Sequence, residues 1–222
     1  ALGYLLFIYR TDKHEPEPIW LLMLAFGWGV ASTIPSMFAN ELLGPFFGGW
    51  VGYAAFVEEP FKILGIFVIA NSLWLRNEFN NHMDGLLYGG AAGLGFGFLE
   101  NITYISKFWA AGDPTIILIR AVTIGMHMFC TGLIGYWMGY LKVNGQRISP
   151  VNVLPALLVA VFVHMVWNSM SFLLGIVGFF VVMALGPVLV YLLNKMAKEA
   201  LMDEVYWGFA SGYAPVERKN VR

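Results

Sequence analysis

The chain has 222 residues, of which 59% are hydrophobic and 12% are charged, and its mean hydropathy is +0.68. A soluble domain carries about twice that charged fraction, so the composition excludes an ordinary soluble enzyme and indicates a polytopic membrane protein. The net charge of -1 provides no basic field for nucleic acid, and the single cysteine, Cys130, cannot form an intrachain disulfide.

The apolar stretches predict an all-α transmembrane bundle, because roughly 20 apolar residues in a helix are needed to cross a bilayer. A short opening segment, "ALGYLLFIY", precedes six candidate full spans at about 17–43, 46–75, 84–110, 115–141, 151–173 and 175–196. The opening segment makes a poor signal peptide, since it lacks a basic n-region and a cleavage site. We therefore predict six full spans plus a short N-terminal span within one domain, 1–196, followed by a C-terminal tail, 197–222.

The distribution of lysine and arginine predicts the orientation, because cytoplasmic loops are enriched in these residues. Two of them, Lys107 and Arg120, lie on one side of the predicted topology. The other side carries ten, namely Arg10, Lys13, Arg76, Lys142, Arg147, Lys195, Lys198, Arg218, Lys219 and Arg222. We expect a multi-pass cell-membrane protein with a cytoplasmic C-terminus, in which Arg120 anchors its helix at the outer interface.

Four ionisable residues on four predicted helices lie at one depth, roughly 12–20 Å from the outer ends at 1.5 Å per residue. They are Glu59, Glu100, His127 and His164. Ionisable side chains inside a span cost free energy and are normally retained for function. We predict that these four, together with Glu58, line a central cavity that opens toward the outer face.

Residue spacing supports this convergence, since positions i and i+4 share one helix face. The polar positions form the pairs Glu58–Lys62, Phe96–Glu100, His127–Thr131 and His164–Asn168. Small residues let transmembrane helices approach closely, and glycine recurs every fourth residue at Gly85, Gly89, Gly93 and Gly97, and again at Gly135 and Gly139. The spacing therefore predicts polar helix faces that are brought together by close packing.

Three chemistries are compatible with such a cluster. Carboxylates and imidazoles can bind Zn²⁺ and activate a water for peptide hydrolysis. They can also activate water without a metal, with His164 and Asn168 polarising the carbonyl. The third possibility is a proton relay in a transporter or channel. The zinc motif HExxH is absent from the chain, so a metal site would have to be assembled from separate helices.

Four motifs in this order resemble the PrsW family of intramembrane proteases. They are "EEPFK" as EExxK, "FGFLEN" as FxxxE followed by Asn, "GMHMFCTG" around its histidine, and "HMVWN" as HxxxN. The early segment "YRTDKHEPEP" is similar as well. The related group that contains the type II CAAX prenyl protease and the Abi proteins typically has EExxxR and FxxxH, so Lys62 and Glu100 depart from that group's pattern.

The resemblance implies an endopeptidase that cleaves single-pass membrane proteins, in bacteria notably anti-sigma factors. It implies catalytic roles for Glu58, Glu59, His164 and Asn168. We expect Glu100, His127 and His164 to hold one Zn²⁺. The spacing assigns Glu58 a supporting role beside Lys62, because these two side chains share a face, and it leaves Glu59 as the base that activates water.

Overall fold

The computed structural model describes residues 2–12, 17–75, 78–110, 112, 116–173 and 175–210. Within these ranges the chain forms seven α-helices and no β-strand, as the all-α prediction requires. The helices are α1 (Leu2–Thr11), α2 (Ile19–Leu43), α3 (Ala54–Asn71), α4 (His82–Ala110), α5 (Ile116–Val143), α6 (Pro150–Leu173) and α7 (Gly175–Ala210). The last helix continues past residue 196, where we placed the end of the membrane domain.

Among the described residues, four stretches are long and apolar enough to cross a membrane, which supports a multi-pass membrane protein. They are Ile19–Phe47, Ile116–Val143, Pro150–Ser171 and Ile176–Met202. Helix α3 has only 18 residues and includes Glu58, Glu59 and Lys62. Helix α4 is rich in glycine, which lowers its mean hydropathy. Full spans for α3 and α4 therefore stay predictions.

Helix α3 begins later than we predicted. The chain first forms two short 3-10 helices, Gly44–Phe47 and Val51–Tyr53. Between them, Gly48 and Gly49 adopt φ angles of 58° and 84°, which L-residues with a side chain rarely adopt. The indole Nε1 of Trp50 donates a hydrogen bond to Ser169 Oγ of α6 at 3.1 Å. This segment therefore links α2 and α3 to α6 beside the carboxylates of α3.

Helix α4 lies at the centre of the bundle, and residues 81–97 are all buried. A Cβ added at Gly85, Gly89 or Gly93 would collide with backbone carbonyls of α5. On another face of α4, a Cβ at Gly95 would collide with the carbonyl of Phe26 in α2. The glycine repeat therefore does what its spacing predicts, since it lets α4 approach α5 closely.

Substitution of Gly93 by alanine is expected to destabilise the bundle by about 1–3 kcal/mol, because an added methyl group would overlap the His127 carbonyl. The control is Gly27→Ala in α2, where an added Cβ has no atom within 4 Å and alanine improves helix propensity. Melting curves in detergent should show a lower Tm for Gly93→Ala only. Equal melting temperatures for the two variants would contradict this packing.

Candidate active site

Lys62 lies at the centre of a buried cluster of charged and polar side chains. Its Nζ is 2.6 Å from Glu59 Oε1, 3.0 Å from His127 Nδ1 and 3.9 Å from Glu58 Oε2. The ammonium group also lies 4.3 Å from the centre of the Phe96 ring. Lys62 and Glu59 are both fully buried. A buried charge requires a partner of opposite charge, so Lys62 and Glu59 compensate each other.

Both carboxylate oxygens of Glu59 have partners. Oε1 accepts from Lys62 and lies 2.7 Å from His164 Nδ1, and Oε2 accepts from Thr131 Oγ1 at 3.3 Å. The expected pairing of Lys62 with Glu58 exists only as the longer contact, because the lysine side chain turns toward the residue three positions before it. Glu59 is therefore the carboxylate held in a fixed position, and the expected roles of Glu58 as support and Glu59 as base stay predictions.

Glu58 has a different environment from that of its neighbour. Its Oε1 accepts a hydrogen bond from Asn40 Nδ2 of α2 at 3.0 Å. Its Oε2 is buried and has no hydrogen-bond partner within the described residues, although His164 Nε2 lies 3.6 Å away. Asn40 is itself positioned by Tyr53, whose hydroxyl donates to the Asn40 carbonyl at 2.6 Å. Glu58 Oε2 is therefore a buried acceptor that lacks a hydrogen-bond donor among the described residues.

The two imidazoles meet edge to face, with ring centres 5.0 Å apart. Each ring has one nitrogen on a carboxylate, since His164 Nδ1 contacts Glu59 and His127 Nε2 contacts Glu100 at 2.7 Å. Asn168 lies one turn after His164, is half-buried, and makes no side-chain hydrogen bond within the described part of the chain. The structure thus brings the predicted carboxylates and histidines of α3–α6 into one site, whereas the place of Asn168 in it stays a prediction.

Arg120 corrects one of our expectations. It is only 7% exposed, so it is not an interface anchor. Its Nη2 lies 2.6 Å from Glu100 Oε2, its Nε donates to Asn101 Oδ1 at 2.6 Å, and its guanidinium stacks 4.6 Å from the Tyr104 ring centre. Arg120 and His127 are seven residues apart, which is about two helical turns, so their shared face was a usable signal.

In the part of the chain that the structure describes, one group of donors could hold a metal ion. Glu58, His127 and His164 each offer a ligand atom, and these atoms lie within 4.8 Å of one another. Our predicted set contains Glu100 in place of Glu58. In the structure Glu100 contacts Arg120 and His127 Nε2, which places it behind the imidazole rather than among these three donors.

The chemistry of these donors fits zinc. A metal-binding histidine usually directs its second nitrogen to a carboxylate, and Glu59 and Glu100 do this for His164 and His127. The nitrogens that remain, together with Glu58 Oε2, are ligands of the type that zinc accepts. Lys62 now lies against His127 Nδ1, so a metal ion there requires that Lys62 keep Glu59 and move away from the ring.

The comparison with known families decides the identity. Residues 17–193 match the family described as PrsW family intramembrane metalloprotease. The chain belongs to the PrsW family. Membership identifies it as a membrane endopeptidase and does not favour the transporter alternative. The described helices and the buried cluster agree with a protease that works within the membrane.

Curated relatives in this family include proteins named Protease PrsW. The protein from Oceanobacillus iheyensis is 30% identical over 176 residues, which cover 76% of this chain and 77% of the relative. The protein from Bacillus subtilis is 25% identical over 154 residues, with 66% and 67% covered. The one from Geobacillus kaustophilus is 29% identical over 149 residues, with 64% and 63% covered. No solved structure matches this PrsW chain.

Proposed function

We propose that this protein hydrolyses peptide bonds of single-pass membrane proteins, with Glu58 as the general base. The family suggests that its bacterial substrates resemble anti-sigma factors. The observation that supports this assignment is the buried Oε2 of Glu58, which lacks a hydrogen-bond donor, whereas both oxygens of Glu59 have donors. A buried acceptor without a donor is costly, so a water or substrate group is expected to supply one.

The proposed reaction begins with a water bound at Glu58 Oε2, the oxygen that has no donor, beside His164 Nε2, which lies 3.6 Å from that oxygen. Glu58 removes one proton while the water oxygen bonds to the carbonyl carbon of the scissile peptide. The carbonyl oxygen gains the negative charge, and the Asn168 amide donates to it. His164, whose Nδ1–H donates to Glu59, keeps Nε2 as an acceptor for the water. The proton on Glu58 then passes to the leaving nitrogen as the carbon–nitrogen bond breaks.

The remaining residues hold this arrangement in place. Asn40 binds Glu58 Oε1 and so directs Oε2 toward His164. Glu59 and Lys62 neutralise each other and fix the His164 ring through Nδ1. If Zn²⁺ is bound, Glu58, His127 and His164 would hold it, and the metal would polarise the carbonyl and lower the pKa of water. Glu58 Oε2 would then be a ligand, so the metal-bound site is an alternative to the route in which Glu58 is the base.

We also propose that the site opens toward the outer face and that the C-terminus is cytoplasmic. Two features support this orientation. Arg10, in the last turn of α1, and Lys198 of α7 line one groove, whereas Lys107 lies in the last turn of α4, and the positive-inside rule expects the side with more cations to be cytoplasmic. The 3-10 segment beside α3, with exposed Phe46 and Trp50, lies at the same end as the carboxylates and could contact an incoming substrate.

The test of the function is cleavage of an anti-sigma factor with one transmembrane helix by the purified protein in detergent. We expect a single cut near the membrane boundary of the substrate. Glu199→Gln, an exposed change on α7, is the matched control and should keep full activity. Proton-driven transport in liposomes with no cleavage of a panel of single-pass proteins would overturn the proposal.

Metal binding is tested separately from activity. If Glu58, His127 and His164 hold zinc, elemental analysis of protein purified without added metal should find about one ion per chain. His164→Ala should reduce that content strongly, whereas the control His82→Ala should not, because His82 is not part of the group. If metal-free protein has full activity, zinc is not needed for the reaction, and Glu58 and His164 activate the water without an ion.

A further inference from the structure

A groove between α1 and α7 takes no part in the proposed reaction. Its volume is about 570 Å³, and it is lined by Gly3, Leu6, Phe7 and Arg10 of α1 and by Asn194, Lys198 and Leu201 of α7. The two helices therefore form an open cleft with apolar walls and two cationic side chains. In a membrane protein, a cleft of this kind on the outside of the bundle is in contact with lipid.

The cations of the groove have no anionic partner within the described residues. Arg10 and Lys198 are both exposed and form no ion pair there. Lys195, one turn before Lys198, differs because it pairs with Glu199 at 3.8 Å. Arg10 is in the last turn of α1, and Lys198 is near the end of the apolar stretch Ile176–Met202. Both charges therefore lie near the level at which phospholipid phosphates are found.

The apolar part of the groove continues from these cations into the membrane. Leu6 and Phe7 lie one turn before Arg10 and are 54% and 41% exposed. Gly3 lies one further turn away, and a Cβ added there would have no atom within 4 Å. The open space beside Gly3 lengthens the cleft, so an acyl chain can pack along this face of α1.

We propose that this groove binds an anionic phospholipid, whose phosphate lies between Arg10 and Lys198 and whose acyl chain packs against Leu6, Phe7 and Gly3. Charge complementarity selects the anionic headgroup, because a choline headgroup would place its own cation beside the two basic side chains. The site differs from the catalytic cluster and does not rest on the proposed reaction.

The test is titration of the purified full chain in detergent with phosphatidylglycerol or phosphatidylcholine, followed by native mass spectrometry and melting curves. We expect phosphatidylglycerol alone to form a one-to-one complex and to raise Tm. Arg10→Gln with Lys198→Gln should weaken binding by about 25-fold, at roughly fivefold for each cation near a lipid surface. Lys195→Gln, the matched control on the same helix, should keep wild-type affinity.

A second variant tests the apolar part of the groove. Gly3→Phe leaves both cations in place and fills the open space beside α1, so it should weaken lipid binding while Tm without lipid stays near that of the wild type. Equal binding of both lipids would overturn the proposal, as would an equal loss in Lys195→Gln. Full competition by glycerol 3-phosphate would also overturn it, because the groove would then recognise a free phosphate rather than a lipid.

Discussion

Glu58→Gln is expected to lower kcat by about 10²- to 10⁴-fold, the range that a general base contributes, while the protein stays folded. A glutamine at this position keeps an oxygen for Asn40 Nδ2. The amide nitrogen of the glutamine can donate toward His164 Nε2. In the wild type this place is taken by Glu58 Oε2, which has no hydrogen-bond donor. The change therefore removes the proton acceptor and preserves the packing, so Tm should stay the same or rise slightly.

Glu59→Gln is expected to act mainly on stability. It removes the anion 2.6 Å from the buried Lys62 ammonium, and breaking a buried pair costs about 3–5 kcal/mol when the remaining charge has no substitute. Glu58 at 3.9 Å compensates in part. We expect a lower Tm and a reduced but measurable kcat, because His164 loses the carboxylate that fixes its ring.

The comparison requires equal amounts of folded protein, judged by a melting curve for each variant, and a substrate-binding measurement beside kcat. Glu58→Gln should bind substrate and fail to cut it. The assignment is reversed if Glu59→Gln melts like the wild type and is inactive while Glu58→Gln turns over normally. That outcome would make Glu59 the base, which is the role that we expect from helix-face spacing alone.

Helix periodicity was sufficient to predict that the ionisable side chains of four helices come together. It was not sufficient to predict which side chains contact each other. Spacing and depth placed Glu59, Glu100, His127 and His164 at one level, because each position is fixed by the rise of its own helix. The partner of Lys62 depends on the rotamers of a long side chain, since residues at i+3 and i+4 are both within reach. Sequence spacing cannot distinguish these two pairs, and it favoured Glu58, which lies 3.9 Å from Lys62, over Glu59, which lies at 2.6 Å.

Contacts between distant helices were harder to predict. Asn40 contacts Glu58 from α2, and nothing in the local spacing of α2 singles it out. The zinc prediction contains the two histidines that converge but has Glu100 where Glu58 lies in the structure. Helix boundaries were predicted well where the apolar run ends at a turn. The start of α3 was not, because Gly48 and Gly49 interrupt an apolar run.

Arg120→Leu is expected to cause the largest loss of stability, about 3–5 kcal/mol, because it removes the cation from a mostly buried carboxylate. Glu100 would keep only His127 as a polar partner among these contacts, and Asn101 would lose the donor at its Oδ1. The matched control is Lys107→Leu, which removes one positive charge from an exposed position on α4. Melting curves should show a marked fall for Arg120→Leu only.

The double variant Arg120→Leu with Glu100→Gln separates charge compensation from packing. Removing both charges leaves no uncompensated anion, so we expect the double variant to recover most of the lost Tm. The effects of two substitutions on residues that contact each other are not additive. Glutamine can still accept from His127, so the imidazole stays oriented and cleavage should return in part. If the double variant is no more stable than Arg120→Leu, the arginine acts through its packing on Tyr104 rather than through Glu100.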